Sequence, residues 1–333
     1  MSTSFKHDFV RDQRVVLPTA DTYAAAIRGG TFIVTGSNTG LGFDAAKSLV
    51  QTGASKVILA VRTPSKGEDA RSKIETATGI TGVLEVWQLE MASYDSILAF
   101  AKRVELLERV DAIIENAAMA LDKWQTGDKG MEMSLIVNVT GTMLLAGLVM
   151  PKLKECAEKF NIKPTISIVG SGVAHQDDCR DELNRVPDEE DIIDFFNDPV
   201  HGINARYPLS KLLLLYAVRE WALRNPVSLT GVVVNYVNPG LCYTELARHV
   251  DEKIRKHVEA LRDQIGRTSE MGSRTLVHGA VAGEESHGKY LSECMVKEHY
   301  NPESITGEEG QKMQKRVWKS LTNHINAISP GCL

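Results

Sequence analysis

A short apolar run, Thr31-Phe-Ile-Val-Thr35, passes at once into Gly36-Ser-Asn-Thr-Gly40-Leu-Gly42, after which Phe43, Ala46, Leu49 and Val50 recur at helical spacing. This order of strand, glycine turn and helix constrains the chain more than any other stretch. Glycines permit a tight turn and close approach of backbone to a bound group. The helix start adds unpaired N–H groups and the positive end of its dipole, so the junction suits a phosphate. The spacing is Gly-x-x-x-Gly-x-Gly rather than the common G-x-G-x-x-G, and a purely structural turn is the competing reading.

The following segments extend the pattern. Lys56–Val61 reads as the second strand of the βαβ unit, an amphipathic segment covers 67–77, and Leu84–Gln88 reads as a third strand. Residues 94–106 are helical in pattern and Asp111–Glu115 is a buried strand opening into Asn116-Ala117-Ala118, small residues suited to backbone packed against a cofactor. A long apolar helix is expected over 130–155, a fifth strand at Thr165–Val169, a further strand at Val227–Val237 and a short last one at Gly288–Ser292. Strands alternating with helices indicate an α/β protein. A dinucleotide site checks the adenosine ribose at the end of its second strand, with an acid for a free 2′-hydroxyl or an arginine for a 2′-phosphate. Arg62 stands there, with Lys66 four residues on and no acid at the strand end, so NADP is favoured over NAD. Leu89, Glu90 and Met91 mark the exit of the third strand, a place for contacts to adenine.

Composition removes several classes of function. The 333 residues carry 38 basic and 43 acidic side chains, a net charge of −5, which gives no electrostatic ground for binding nucleic acid or an anionic membrane. Five scattered cysteines (156, 179, 242, 294 and 332) without a C-x-x-C pair argue for free thiols, with no disulfide frame and no metal site. The polar start lacks the apolar run of a signal peptide, and no stretch is read as the roughly 18 apolar residues a membrane span needs. A cytoplasmic location is the expectation.

Tyr207-Pro-Leu-Ser-Lys211 is the stretch with the most chemistry. Residues four apart share a helix face, and Pro208 requires the helix to begin close to Tyr207. A unit charge about 4 Å from the phenol, at an effective dielectric near 20, contributes roughly 4 kcal/mol, or up to about 3 pKa units. Such a tyrosine becomes a general acid or base near pH 7, although the same spacing also arises as a surface pair. Asn138, polar among Leu135, Ile136, Val137 and Val139, wants a hydrogen-bonding reason. Ser171 sits between Gly170 and Gly172 at a strand's carboxyl end, the ligand side of a parallel sheet. His175, Trp124, Phe195, Phe196 and Tyr243 are candidates for lining a pocket, and equally for packing.

Taken in order, Thr35-Gly36-x-x-x-Gly40-x-Gly42, Asn116-Ala117, Asn138, Ser171, Tyr207-x-x-x-Lys211 and Pro239-Gly240 resemble the short-chain dehydrogenase/reductase family over roughly residues 30–295. The branch is similar to retinol-dehydrogenase-type members. Glu115 to Ala118 and Asn238 to Glu245 are similar to fungal secondary-metabolism reductases. The resemblance implies a single doubly wound Rossmann domain with a seven-stranded parallel sheet flanked by helices. On that basis the domain spans 31–295, with an N-terminal extension over 1–30, an insertion at 176–203 lying over the pocket and a C-terminal extension over 296–333. It implies NADP(H), held by Gly36, Asn38, Thr39, Gly40, Leu41, Gly42, Arg62, Lys66, Glu90, Met91, Asn116, Ala117, Tyr207, Lys211, Pro239, Gly240, Leu241 and Thr244. It further implies Tyr207 as acid/base, Ser171 holding the substrate oxygen, Lys211 lowering the Tyr207 pKa, and Asn138 holding a water that links Lys211 to solvent. Glu115 and Ala118 depart from the family's N-N-A-G, and Glu90 stands where Asp is usual.

The function expected is an oxidoreductase passing hydride between NADPH and a ketone, aldehyde or alcohol of moderate size and apolar character. The alternative is a non-redox protein of the same fold that binds NADP(H) and a small molecule for cyclisation, binding or sensing. Pairing into a homodimer or homotetramer is consistent with the family.

Overall fold

The structure, a computed structural model, describes residues 9–333. In chain order it runs β1 (Thr31–Thr35), α1 (Gly40–Thr52), β2 (Lys56–Val61), α2 (Pro64–Thr78), β3 (Leu84–Gln88), α3 (Tyr94–Glu105) and β4 (Ala112–Glu115). It continues with α4 (Gly141–Phe160), β5 (Thr165–Val169), α5 (Asp177–Leu183), α6 (Ile192–Phe196), α7 (Arg206–Arg224) and β6 (Val233–Asn238). The last elements are α8 (Glu252–Ile265), α9 (Ser269–Val281), β7 (Tyr290–Ser292), β8 (Met295–Val296) and α10 (Glu308–Asn326).

The sheet order is β3-β2-β1-β4-β5-β6-β7-β8, and the first seven strands are all parallel. The chain is therefore a doubly wound Rossmann-type α/β fold. The eighth strand is an addition to the seven expected. Glu293 and Cys294, both at positive φ (50° and 56°), turn the chain back so that the two residues of β8 pair antiparallel on β7. Positive φ at both central residues is the backbone of a two-residue hairpin turn.

Each face of the sheet is covered, so its strands are nearly continuous apolar runs. Phe32 and Val34 of β1 face α1, α2 and α9, packing with Leu49, Ile74 and Leu276. Ile33, Ile113 and Ile166 face the other layer, built on α3, α4 and α7. Val317, Trp318, Leu321 and Ile325 of α10 belong to that second core, and Leu17 and Ile27 ahead of β1 are buried too. Residues on both sides of 31–295 thus share the domain's packing.

Three expectations are corrected. The strand expected at Val227–Val237 begins only at Val233. Pro226 is extended, and Val227–Thr230 form a helical turn ended by Gly231 at φ +67°. Gly231 marks the boundary inside the stretch, and Leu229 in the turn before it is exposed. One helical stretch among the described residues, Met133–Phe160, does have the length and apolar character to cross a membrane; 89% of its apolar window is buried inside the fold as a core helix. Residues 176–203 lie mostly beside the pocket. Only Gln176, Asp178 and Ile203 reach it, while Phe195 and Phe196 are buried in the core shared with α10.

Candidate active site

The order of the sheet reverses between β1 and β4, and a cavity of about 1660 Å³ opens at the strands' carboxyl ends there. Drug-sized ligands occupy roughly 300–1,000 Å³, so this space suits a dinucleotide and a second molecule together.

Its floor is the glycine turn. Gly36 takes φ +63°, and a Cβ on it would stand 3.0 Å from the Ala117 Cα. A Cβ on Gly42 would meet Asn116 Nδ2 at 2.6 Å and the Gly36 carbonyl at 2.8 Å. Asn116 answers by donating from Nδ2 to the Thr35 carbonyl (2.9 Å), while Thr35 Oγ1 accepts from the Asn116 and Ala117 N–H groups (2.9 Å each). The exits of β1 and β4 are thereby laced together. Thr39, ahead of α1, makes no side-chain cap, so the first N–H groups of a 13-residue helix are left for an anion.

At the far end of the floor, Arg62 and Lys66 line the cavity, with Arg62 Nε 3.7 Å from Glu90 Oε2. Glu90 also takes the Ala92 N–H on Oε1 (3.0 Å) and donates its own N–H to Ser96 Oγ (2.9 Å). A glutamate here aims the arginine across the strand ends.

The opposite wall carries Ser171, Tyr207 and Lys211. Ala205, at φ +45°, starts α7 at Arg206, which puts Pro208 in the first turn. Buried Arg206 anchors that start. It donates to the Gly202 carbonyl, its Nε lies 3.7 Å from Glu132, and its guanidinium lies over Phe196 and Trp124. Lys211 Nζ donates to the Val169 carbonyl at 2.8 Å. Burial pulls its pKa down to about 7. Burial pushes the half-buried Tyr207 phenol up to about 12, against the opposing effect of a hydrogen bond with the Ser171 hydroxyl. Burial is the largest influence on the Tyr207 phenol and acts against the lowering expected from Lys211. The ammonium lies 5.8 Å from the ring centroid, and burial that penalises its charge weakens its field near pH 7.

Asn138 lies in a π-turn, Ile136–Thr140, just ahead of α4. Both of its N–H groups are used, one on the Met119 carbonyl and one on Ser210 Oγ, and its Oδ1 accepts the Met119 N–H (2.9 Å each). The side chain staples the loop after β4 to α7, and these hydrogen bonds do not include Lys211. Of the residues expected at the site, all but Asn138 and Gly42 line the cavity. Gly42 lies behind the turn, where its lack of a side chain admits Asn116.

Two residues at the site carried no functional reading in the sequence. Tyr236, fully buried on β6, accepts the Ser171 N–H (2.9 Å), and its hydroxyl lies 3.1 Å from the Ser171 carbonyl and 3.2 Å from that of Lys211. Asn238 Oδ1 accepts the N–H groups of Gly172 and Gly240 (3.0 Å each), joining the serine loop to the Pro239-Gly240 turn. The only hint was polar side chains inside an apolar strand. Glu115 is buried with both carboxylate oxygens unpartnered, and burial raises its pKa well above the usual carboxylate range.

The aromatic candidates mostly sit elsewhere. His175 bonds Asn301 (2.9 Å), Phe195 stacks on His201, and Trp124 and Phe196 lie under Arg206. Tyr243 lines a side recess with Thr39 and Arg262. The cavity is instead roofed by residues 241–265, where Ile254, Val258, Leu261 and Ile265 turn one face of α8 toward it. One cluster of potential metal ligands occurs among the described residues, Asp191, Asp194 and His324. It is accounted for by Asp191 capping α6 and by its ion pair with His324. The five cysteines are unpaired.

Comparison with known proteins accords with this geometry. The profile described as short chain dehydrogenase matches residues 30–176. The short chain dehydrogenase/reductase dmxR8 of Cryptosporiopsis sp. is 44% identical over 309 residues, covering 91% of this chain and 92% of the relative. The short-chain dehydrogenase anuD of Penicillium roqueforti is 34% identical, covering 97% and 84%. Among solved structures, a short-chain dehydrogenase from Sphingobium yanoikuyae in complex with NADPH aligns with a TM-score of 0.54 at 20% identity, covering 77% of this chain and 84% of that one. The chain belongs to the short-chain dehydrogenase/reductase family. It is an oxidoreductase of that family, and both relatives are fungal proteins.

Proposed function

We propose that the protein is an NADP(H)-dependent reductase of fungal secondary metabolism that acts on a ketone or aldehyde of a moderately sized, apolar molecule. The observation that carries this reading is the convergence of Ser171, Tyr207 and Lys211 on one wall of a cavity whose floor offers an uncapped helix start. The residues present fit the cofactor. Gly36 and Gly40, at φ +63° and +60°, form the turn that lines the cavity floor, the α1 N-terminus suits a pyrophosphate, and Arg62 with Lys66 offers cations for a 2′-phosphate.

When bound, the nicotinamide supplies the hydride chemistry. Ser171 holds the substrate oxygen, and Tyr207 hands it a proton. Because burial keeps the phenol protonated at neutral pH, Tyr207 starts as the acid, which is the form reduction requires. Lys211, held on the Val169 carbonyl, borders the same space and orients the bound ribose. The apolar face of α8 keeps water from the reacting carbon.

The test is oxidation of NADPH followed by absorbance against a panel of aldehydes and bulky ketones. Turnover with at least one member is expected. Tight NADPH binding with no turnover across the panel counts for the non-redox alternative. Cofactor choice has its own test. Charge-assisted hydrogen bonds are worth about 1.5–3 kcal/mol, so Arg62→Asp is expected to weaken NADPH binding about 10- to 100-fold and NADH binding about twofold or less. Equal losses for the two cofactors would remove Arg62 from 2′-phosphate recognition.

A further inference from the structure

The chain ahead of β1 reaches into the cavity region. Phe9 and Val10 line the cavity itself. Gln13, 5% exposed, uses its whole amide on the roof segment: Nε2 donates to the Leu241 carbonyl (2.9 Å) and to the Ile265 carbonyl (3.0 Å), and Oε1 accepts the Leu241 N–H (3.0 Å). Leu241 and Ile265 are the two ends of the segment that roofs the cavity. One side chain therefore joins both ends of the roof.

The surroundings are built to hold that amide. Arg267, 1% exposed, donates to the Asp12 carbonyl (2.5 Å), the Gln13 carbonyl (3.4 Å) and the Pro239 carbonyl (3.0 Å). Gly240 takes φ +78°, and a Cβ there would stand 2.2 Å from Gln13 Oε1 and 2.8 Å from Arg267 Nη1. The glycine of the Pro239-Gly240 turn is thus needed for the arm to seat as well as for its own backbone conformation. Tyr300 fixes the arm from the other side, donating to Asp12 Oδ2 (2.6 Å).

We propose that Gln13 is a positioning residue of the cofactor cavity, fixing through the N-terminal arm both ends of the roof formed by residues 241–265. The idea rests on the cavity's reading as an NADP(H) site for one of its consequences only. With the clasp in place, Leu241 and Thr244 stay against the cofactor floor and α8 stays over the cavity. Without it, the roof opens locally while the sheet and its two helical layers remain folded.

The experiment uses the full chain with Gln13→Leu, which keeps the volume and loses all three hydrogen bonds, and Gln13→Glu, which keeps the acceptor and sets a carboxylate against two carbonyls. Three readouts are taken: trypsin cleavage without cofactor, NADPH affinity by fluorescence titration, and thermal unfolding. The roof carries Arg248, Lys253, Arg255, Lys256 and Arg262 as cleavage points. Cleavage within 242–264 is expected to be about 10-fold faster in both variants and NADPH affinity about 10-fold weaker, since local opening is set by the few contacts that hold a segment. The melting temperature is expected to stay within about 2 °C of the parent. Unchanged cleavage overturns the proposal. So does cleavage that rises only in step with a falling melting temperature, or failure of both variants to fold, because each makes Gln13 an ordinary stability residue. If the parent protein does not bind NADPH, the cofactor reading falls, while cleavage still decides the clasp.

Discussion

Replacing Tyr207 by Phe is expected to lower turnover about 10²- to 10⁴-fold, the range that a positioned general acid contributes, with NADPH affinity changed by about twofold or less. The ring fills the same wall, and neither the α1 N-terminus nor Arg62 is touched. Only the proton donor is lost. The pH dependence has a definite sign. Burial holds the phenol near 12, so below that value the acid form predominates and carbonyl reduction should be nearly level between pH 6 and 9. Alcohol oxidation needs the phenolate, which gains about tenfold per pH unit while pH lies below the pKa, so that direction should climb with pH. Lys211, near 7, loses its charge over the same interval, and the phenolate it would stabilise loses that support as pH rises. Steady-state rates in both directions, for the parent and Tyr207→Phe, decide the point. Undiminished turnover in the variant would show that the proton comes from elsewhere.

What the sequence disclosed follows from how far apart the interacting residues lie. The strands Thr31–Thr35, Lys56–Val61, Leu84–Gln88 and Thr165–Val169 were legible residue for residue because a parallel sheet covered on both faces writes itself as short apolar runs between breakers. Local spacing was equally readable: glycine turn against helix start, and tyrosine four before lysine. The start of β6 was not, because Val227 and Leu229 share the apolar character of the strand, although Pro226 and Gly231 bracket the helical turn before it. Gln13 meets Leu241 across 228 positions and Tyr236 meets Ser171 across 65, contacts that no periodicity announces. The same holds for Phe195 and Phe196. Their side chains look available for a pocket until α10, more than 100 residues later, is seen to share their core.

Gly170→Ala is expected to destabilise the protein by about 3 kcal/mol or more, and the reason is Tyr236. A Cβ at residue 170 would lie 1.8 Å from Tyr236 Cζ and within 2.3 Å of both neighbouring ring carbons. The tyrosine is fully buried between the Ser171 loop and α7, so its ring has no free space to swing into. Overpacking typically costs 1–3 kcal/mol, and a displaced ring also forfeits hydrogen bonds worth about 1 kcal/mol each. The loss should not be confined to stability. Ser171 receives its backbone contacts from the hydroxyl that would move, so kcat should fall more than KM rises. Tyr236→Phe separates the two effects. The ring stays, the Ser171 N–H loses its acceptor, and turnover should drop about 10-fold with a stability cost of about 1–2 kcal/mol. The decisive comparison is a double-mutant cycle of Gly170→Ala with Tyr236→Ala. Tyr236→Ala alone leaves a void costing about 3–5 kcal/mol, and a Cβ at residue 170 would project into that void. The two changes together should therefore be less harmful than their sum, with a coupling of at least about 1 kcal/mol. Strict additivity in denaturant unfolding would mean that the glycine answers to something other than the tyrosine ring.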